Sequence, residues 1–93
     1  DDVTKIIGKI NGLYPSPGAF FSFNGERYKI LKAEIGNGIG KIGEVISNNL
    51  EIACNNNKSI KILEIRREGK KVQKTGEFML GSQIRKGSEI SNV

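Results

Sequence analysis

Five cations fall within nine residues late in the chain, Arg66, Arg67, Lys70, Lys71 and Lys74, interrupted by Glu68 and Gly69. Side chains of this type at this density suit phosphate. Each one that neutralises a phosphate releases a condensed counterion, and the contact positions a nucleic acid without reading its sequence. The plainer reading of the same run is a solvated loop. A second basic group, Arg27 and Lys29, alternates along a stretch that also holds Phe20. Aromatic rings interleaved with cations are what single-stranded nucleic acid stacks on. The alternative is that Phe20 packs beneath the first helix or a linker. Lys32 and Lys61 read as surface strand positions, neutral or functional. The candidates for contact with a polyanion are therefore Arg27, Lys29, Lys61, Arg66, Arg67, Lys70, Lys71 and Lys74.

Chemistry that makes or breaks bonds has little to work with. The chain has no His, the side chain that most readily exchanges protons near neutral pH. Glu64 and Glu68 lie among arginines without a nucleophile or metal ligand beside them, which makes them ion-pair partners. Cys54 sits in the apolar run LEIACNN, where a small buried hydrophobe is expected rather than a reactive thiol, and a single cysteine forms no internal disulfide. No catalytic residue, metal site or bound cofactor is assigned, and a self-contained enzyme is not expected. The net charge of +5 favours a polyanionic partner without choosing between nucleic acid and acidic membrane. No stretch approaches the roughly 18 apolar residues of a membrane span and no signal peptide is visible, so the expectation is a cytoplasmic protein. The opening Asp1-Asp2 predicts a piece of something longer.

The elements that must position these residues follow from periodicity. A chain of 93 residues with 37% hydrophobic residues predicts a single domain, 1–93, with a small core. Val3, Ile6, Ile7, Ile10 and Leu13 recur at helical spacing, with Asp2 as N-cap and Gly12 as stop, predicting a helix near residues 2–11. Pro15 and Pro17 then force extended backbone. Residues 14–31 read YPSPGAFFSFNGERYKIL and hold both prolines, both tyrosines and three of the four phenylalanines. Asn24-Gly25 is a strong hairpin signal because both turn positions need positive φ. It pairs Phe23 with Glu26, Ser22 with Arg27, Phe21 with Tyr28 and Phe20 with Lys29. Ala19, Phe21, Phe23, Tyr28 and Ile30 then form a core face, and Phe20, Ser22, Arg27 and Lys29 the outer face.

The apolar phase slips by one residue between Ile30 and Leu31, and again between Ile62 and Leu63. Within one strand, such a slip predicts a bulge or sharp bend that lets a short sheet curl. GEVISNN and LEIACNN read as two short strands around an Asn-rich turn. Thr75 is placed to cap a helical turn around Glu77–Leu80, with Phe78 and Met79 or Leu80 covering an edge. The fold class expected is mainly β, a small five- to six-stranded barrel with an N-terminal helix and a short C-terminal helical turn.

The ordered segments LYPSPGAFFSFNGERYKILKAE, GEVI, LEIAC, SIKILEIRREGKK, EFMLG and RKGSEI resemble the C-terminal domain of methionyl-tRNA formyltransferases over nearly the whole chain. The departures are local. Tyr14 and Ser16 stand where the family usually has Asn and an aromatic residue, and Asn55 where Gly is common after Ala-Cys. The resemblance implies a barrel of the oligonucleotide-binding type that helps hold initiator methionyl-tRNA through largely sequence-independent contacts. It also implies an N-terminal catalytic domain, absent here, that uses 10-formyltetrahydrofolate as co-substrate. A monomer is expected. This chain alone would be non-catalytic. Related formyltransferases acting on sugars or folate carry a similar domain. A stand-alone nucleic-acid-binding or interaction barrel, or a spacer that binds nothing, are the competing classes. An in-phase reading frame upstream of Asp1 separates the first class from a free-standing module.

Overall fold

The computed structural model of the 93-residue chain describes residues 3–12, 18–55 and 57–91. The expected roles of Asp2, Leu13, Tyr14, Pro15, Ser16 and Pro17 lie outside the described residues. Helix α1 spans Val3–Ile10 and buries Val3 and Ile6. It ends where expected: Asn11 N–H donates to the Ile7 carbonyl, Gly12 N–H to that of Lys9, and Gly12 adopts φ 73°.

Among the described residues, six antiparallel strands follow: β1 (Ala19–Phe23), β2 (Glu26–Gly36), β3 (Val45–Ser47), β4 (Glu51–Ala53), β5 (Ser59–Arg67) and β6 (Gln73–Lys74). Helix α2 spans Thr75–Gly81. Their order across the sheet is β1-β2-β5-β4-β3, with β6 also pairing β5. The β1–β2 register is the one the Asn-Gly turn dictates, with Phe20 opposite Lys29 and Phe21 opposite Tyr28, and Asn24 and Gly25 at φ 51° and 77°.

Both phase slips are bulges, and they compensate. From Ile30↔Ile65 to Lys32↔Glu64 the ladder advances by two residues on β2 and one on β5; from there to Ala33↔Ile62 the imbalance reverses. Leu31 and Leu63 are the extra residues. The inner face therefore survives the bend: Ile30, Ile60, Ile62 and Ile65 are all buried. They join Ile6, Phe21, Val45, Leu50, Ile52 and Ile84 in one core. Full burial of such side chains contributes about 1.5–3 kcal/mol each.

The sheet is not closed strand to strand. Its two edges, β1 and β3, are tied instead by the C-terminal segment. Ser22 and Ser91 exchange backbone hydrogen bonds of 2.9 and 3.1 Å, while Val45 N–H donates to Ser88 and Ile90 N–H to Gly43. This gives the sheet a barrel-like arrangement and leaves less unpaired edge.

Helix α2 differs from expectation in how it starts. Thr75 is its first residue rather than its cap, and its hydroxyl donates to the Ile62 carbonyl at 2.5 Å, pinning the helix to β5. Phe78 is buried and Met79 packs against the core, whereas Leu80 is 85% exposed. Among the described residues, no helix is long and apolar enough to cross a membrane.

Candidate nucleic-acid interface

Strand alternation decides where the cations point. Phe20 on β1, Lys29 on β2 and Arg66 on β5 occupy one rung of the ladder, so their side chains share the outer face. Arg27 lies diagonally from Phe20, within reach of a long side chain. Its guanidinium carbon sits 4.0 Å from the ring centroid, and Lys29 Nζ lies 5.8 Å from it. Phe20 itself is half-buried. Phe20, Arg27, Lys29, Arg66 and Glu68 line a dimple of about 30 Å³.

Arg67 points the other way. It stands opposite Tyr28 on the inner face, at the end where that face emerges from the core. There an open groove of about 750 Å³ is lined by Arg67, Lys70 and Lys71 together with Phe23, Tyr28 and Phe78. Lys70 and Lys71 sit in an exposed turn closed by a hydrogen bond from Lys70 N–H to the Arg67 carbonyl, with Gly69 at φ 81°. The run 66–74 is therefore not one stripe, because consecutive strand residues face opposite sides. It feeds two groups, back to back at the end of the sheet where the hairpin meets β5.

Two of the predicted residues stand apart. Lys61 lies five residues back along β5, about 16 Å from Arg66 at 3.3 Å per residue, opposite Glu34 on β2 and Glu51 on β4. Lys74 faces Glu64 across β5–β6. In the basic end, Arg67 pairs with Glu26 at 3.4 Å and Arg27 with Glu68 at 3.9 Å. Among the described residues, Lys29, Arg66, Lys70 and Lys71 take part in no ion pair. Glu68 is an ion-pair partner as expected, whereas Glu64 lies opposite Lys32 and Lys74 in register without an ion pair among the described residues. Cys54 is buried, and its thiol donates to the Ile52 carbonyl at 3.6 Å.

Tyr28 links the groove to the core. Its ring stacks on Phe21 with centroids 5.0 Å apart and meets Phe78 edge-on at 5.7 Å. Burial raises its phenol above the ordinary value of 10.0, the Glu26 carboxylate adds to the shift and Arg67 opposes it. The groove's other lining residues include Asn24, Val72, Gln73 and Gln83, none of which the sequence marks as part of a site. They come from three separate segments, and only the Asn24-Gly25 turn carried a local signal.

Comparison with known proteins covers this whole arrangement. A family model described as the formyl transferase C-terminal domain matches residues 1–83, which include all six strands, α2 and every cation named above. The chain is similar to the methionyl-tRNA formyltransferase of Pelagibacter ubique (strain HTCC1062), with 71% identity over all 93 residues and 30% of that protein's length covered. It is 42% identical over 88 residues to that of Rickettsia massiliae (strain Mtu5), covering 92% of the chain and 29% of the relative. Identity to that of Sphingopyxis alaskensis (strain DSM 13593 / LMG 18877 / RB2256) is 36% over 92 residues, covering 94% and 30%. The chain therefore spans about 30% of the length of these relatives. With nearly all of its length matched, the chain belongs to the formyl transferase C-terminal domain family.

Proposed function

We propose that this chain is the tRNA-binding accessory domain of a methionyl-tRNA formyltransferase. The observation that carries the reading is the clustering of six cations, Lys29, Arg66, Lys70 and Lys71 with Arg27 and Arg67, at one end of the sheet, the first four without an ion pair among the described residues. The relatives are named methionyl-tRNA formyltransferases, which supports methionyl-tRNA as the partner, and in this reading it is the initiator. In this reading the parent enzyme moves a formyl group from 10-formyltetrahydrofolate to the methionyl amino group. The chemistry belongs to an N-terminal catalytic domain of the same chain, acting as a monomer in the cytoplasm.

The domain's part is positional. Contacts to phosphates are made equally in ground and transition states, so they lower the Michaelis constant without changing the chemical step. Transfer to an amine needs a base and donors for the formyl oxygen, and the chain offers no such cluster among the described residues. The test is tRNA binding by the 93-residue chain at several salt concentrations. Saturable binding that weakens steeply with salt is expected. Absence of affinity at low salt contradicts the reading, and formyl-methionyl-tRNA made by this chain alone contradicts the placing of catalysis elsewhere.

A further inference from the structure

The outer-face group contains a feature that phosphate binding alone does not require. Arg27 lies over Phe20 with its guanidinium carbon 4.0 Å from the ring centroid, yet its side chain remains 55% exposed. One side of the guanidinium is therefore held by the ring while much of the side chain stays open to solvent. The ring is held in turn. A Cβ at Gly18, whose φ is +95°, would come within 3.1 Å of Phe20 Cε2, so the backbone runs close against the ring edge. Lys29 and Arg66 continue the rung across β2 and β5.

The dimple between these side chains, about 30 Å³, has room for roughly a single water molecule and not for an aromatic ring. A planar ligand must lie on the surface rather than insert. Cations around an aromatic ring recognise phosphates and flat π systems together, and an unpaired nucleotide presents both. We propose that the Phe20–Arg27 stack is a platform for one unpaired nucleotide of the RNA partner. Its base lies on the open side of the Arg27 guanidinium, and its flanking phosphates are held by Lys29 and Arg66. This rests on the RNA-binding reading above and adds a preference that electrostatics alone does not create. A base within a duplex already stacks on its neighbours and cannot reach the platform.

Two probes test it on the 93-residue chain: a blunt RNA duplex, and the same duplex with a short unpaired 3′ extension carrying 2-aminopurine, whose fluorescence reports stacking. The chain should bind the extended probe roughly tenfold more tightly, the scale of one base stacking on a planar side chain, with a change in 2-aminopurine emission. Arg27→Lys keeps the charge and loses the plane. It should abolish the preference, read as the ratio of the affinities for the two probes, and with it the emission change. Phe20→Leu, with its fold checked by circular dichroism, should do the same by releasing the guanidinium. Equal affinity for the two probes in the unsubstituted chain, or a preference that survives Arg27→Lys, overturns the platform while leaving the RNA-binding reading standing. Binding of neither probe at low salt overturns both.

Discussion

The cations at the two ends of the sheet face different neighbours. Where the β1–β2 hairpin meets the end of β5, Lys29, Arg66, Lys70 and Lys71 carry no ion pair among the described residues. At the far end, Lys61 lies between Glu34 and Glu51 on its two neighbouring strands. Lys41 holds Glu89 at 3.1 Å while its backbone N–H is taken by Glu44, and Lys58 donates to Asn37 at 2.9 Å. For the strand cations, cross-strand register decides what faces each one: Arg66 lies opposite Lys29, and Lys61 opposite Glu34 and Glu51. A cation's presence in a basic chain says much less.

The largest way to break this contrast is to break the frame that sustains it. Phe21 is fully buried and stacks on Tyr28 beneath the basic end. Phe21→Ala should cost about 3–5 kcal/mol, a large share of the roughly 5–15 kcal/mol that a small domain has. Thermal denaturation should show a strongly lowered midpoint; an unchanged one would mean that the core does not depend on this ring.

The far end has its own weak points. Gly43 has φ +88°, and a Cβ there would lie 2.8 Å from the Ile90 carbonyl oxygen, which belongs to the segment that ties the sheet's edges. Gly43→Ala should cost about 1–3 kcal/mol, seen in urea denaturation, and should speed amide exchange at Ser22 and Ser91. Protection at those amides equal to that of the unsubstituted chain would show that the tie does not pass through Gly43. Buried Ser59 donates to Glu51 at 2.5 Å and accepts from Gly38 N–H at 3.0 Å. Ser59→Ala leaves both partners wanting and should cost about 1–3 kcal/mol. A loss near zero would show that water replaces the hydroxyl.

Much of this frame is legible in the sequence because its signals are local. Asn24-Gly25 sets the β1–β2 pairing residue by residue. The slips at Ile30/Leu31 and Ile62/Leu63 mark two bulges that, taken separately, give no hint that they face each other across one ladder. The sixth strand is two residues, Gln73–Lys74, with no apolar alternation, and it exists because Thr75 anchors the next turn to Ile62. The tie made by Ser88–Ser91 is equally silent, since it is formed by backbone groups at long range. The candidate site divides along the same line. The outer position of Arg27 and Lys29 follows from the hairpin, but the separation of Arg66 from Arg67 and the carboxylates around Lys61 emerge only once β5 is placed between β2 and β4.

A smaller effect sharpens the contrast at the groove. Because the phenol of Tyr28 is raised above 10.0 in the folded chain, folding favours its neutral form. That contribution is whole below pH 10 and is lost as pH rises from there through the folded value. Tyr28→Phe keeps the ring and removes the titration. Denaturation midpoints compared at pH 8 and pH 11 should fall less in the variant; an equal fall in both would assign the alkaline loss to other groups.

The central claim is that register separates the cations clustered at the hairpin end from Lys61, which lies opposite Glu34 and Glu51, and the salt dependence of tRNA binding tests it most directly. Lys70→Ala/Lys71→Ala and Lys61→Ala should each change stability by less than about 0.5 kcal/mol, so that the slopes of log affinity against log salt can be compared on folded chains. The double substitution should weaken different tRNAs alike and make the slope shallower by roughly one unit for each phosphate no longer neutralised, whereas Lys61→Ala should leave it unchanged. A slope that the double substitution leaves intact, or that Lys61→Ala reduces as much per lysine, would contradict the account.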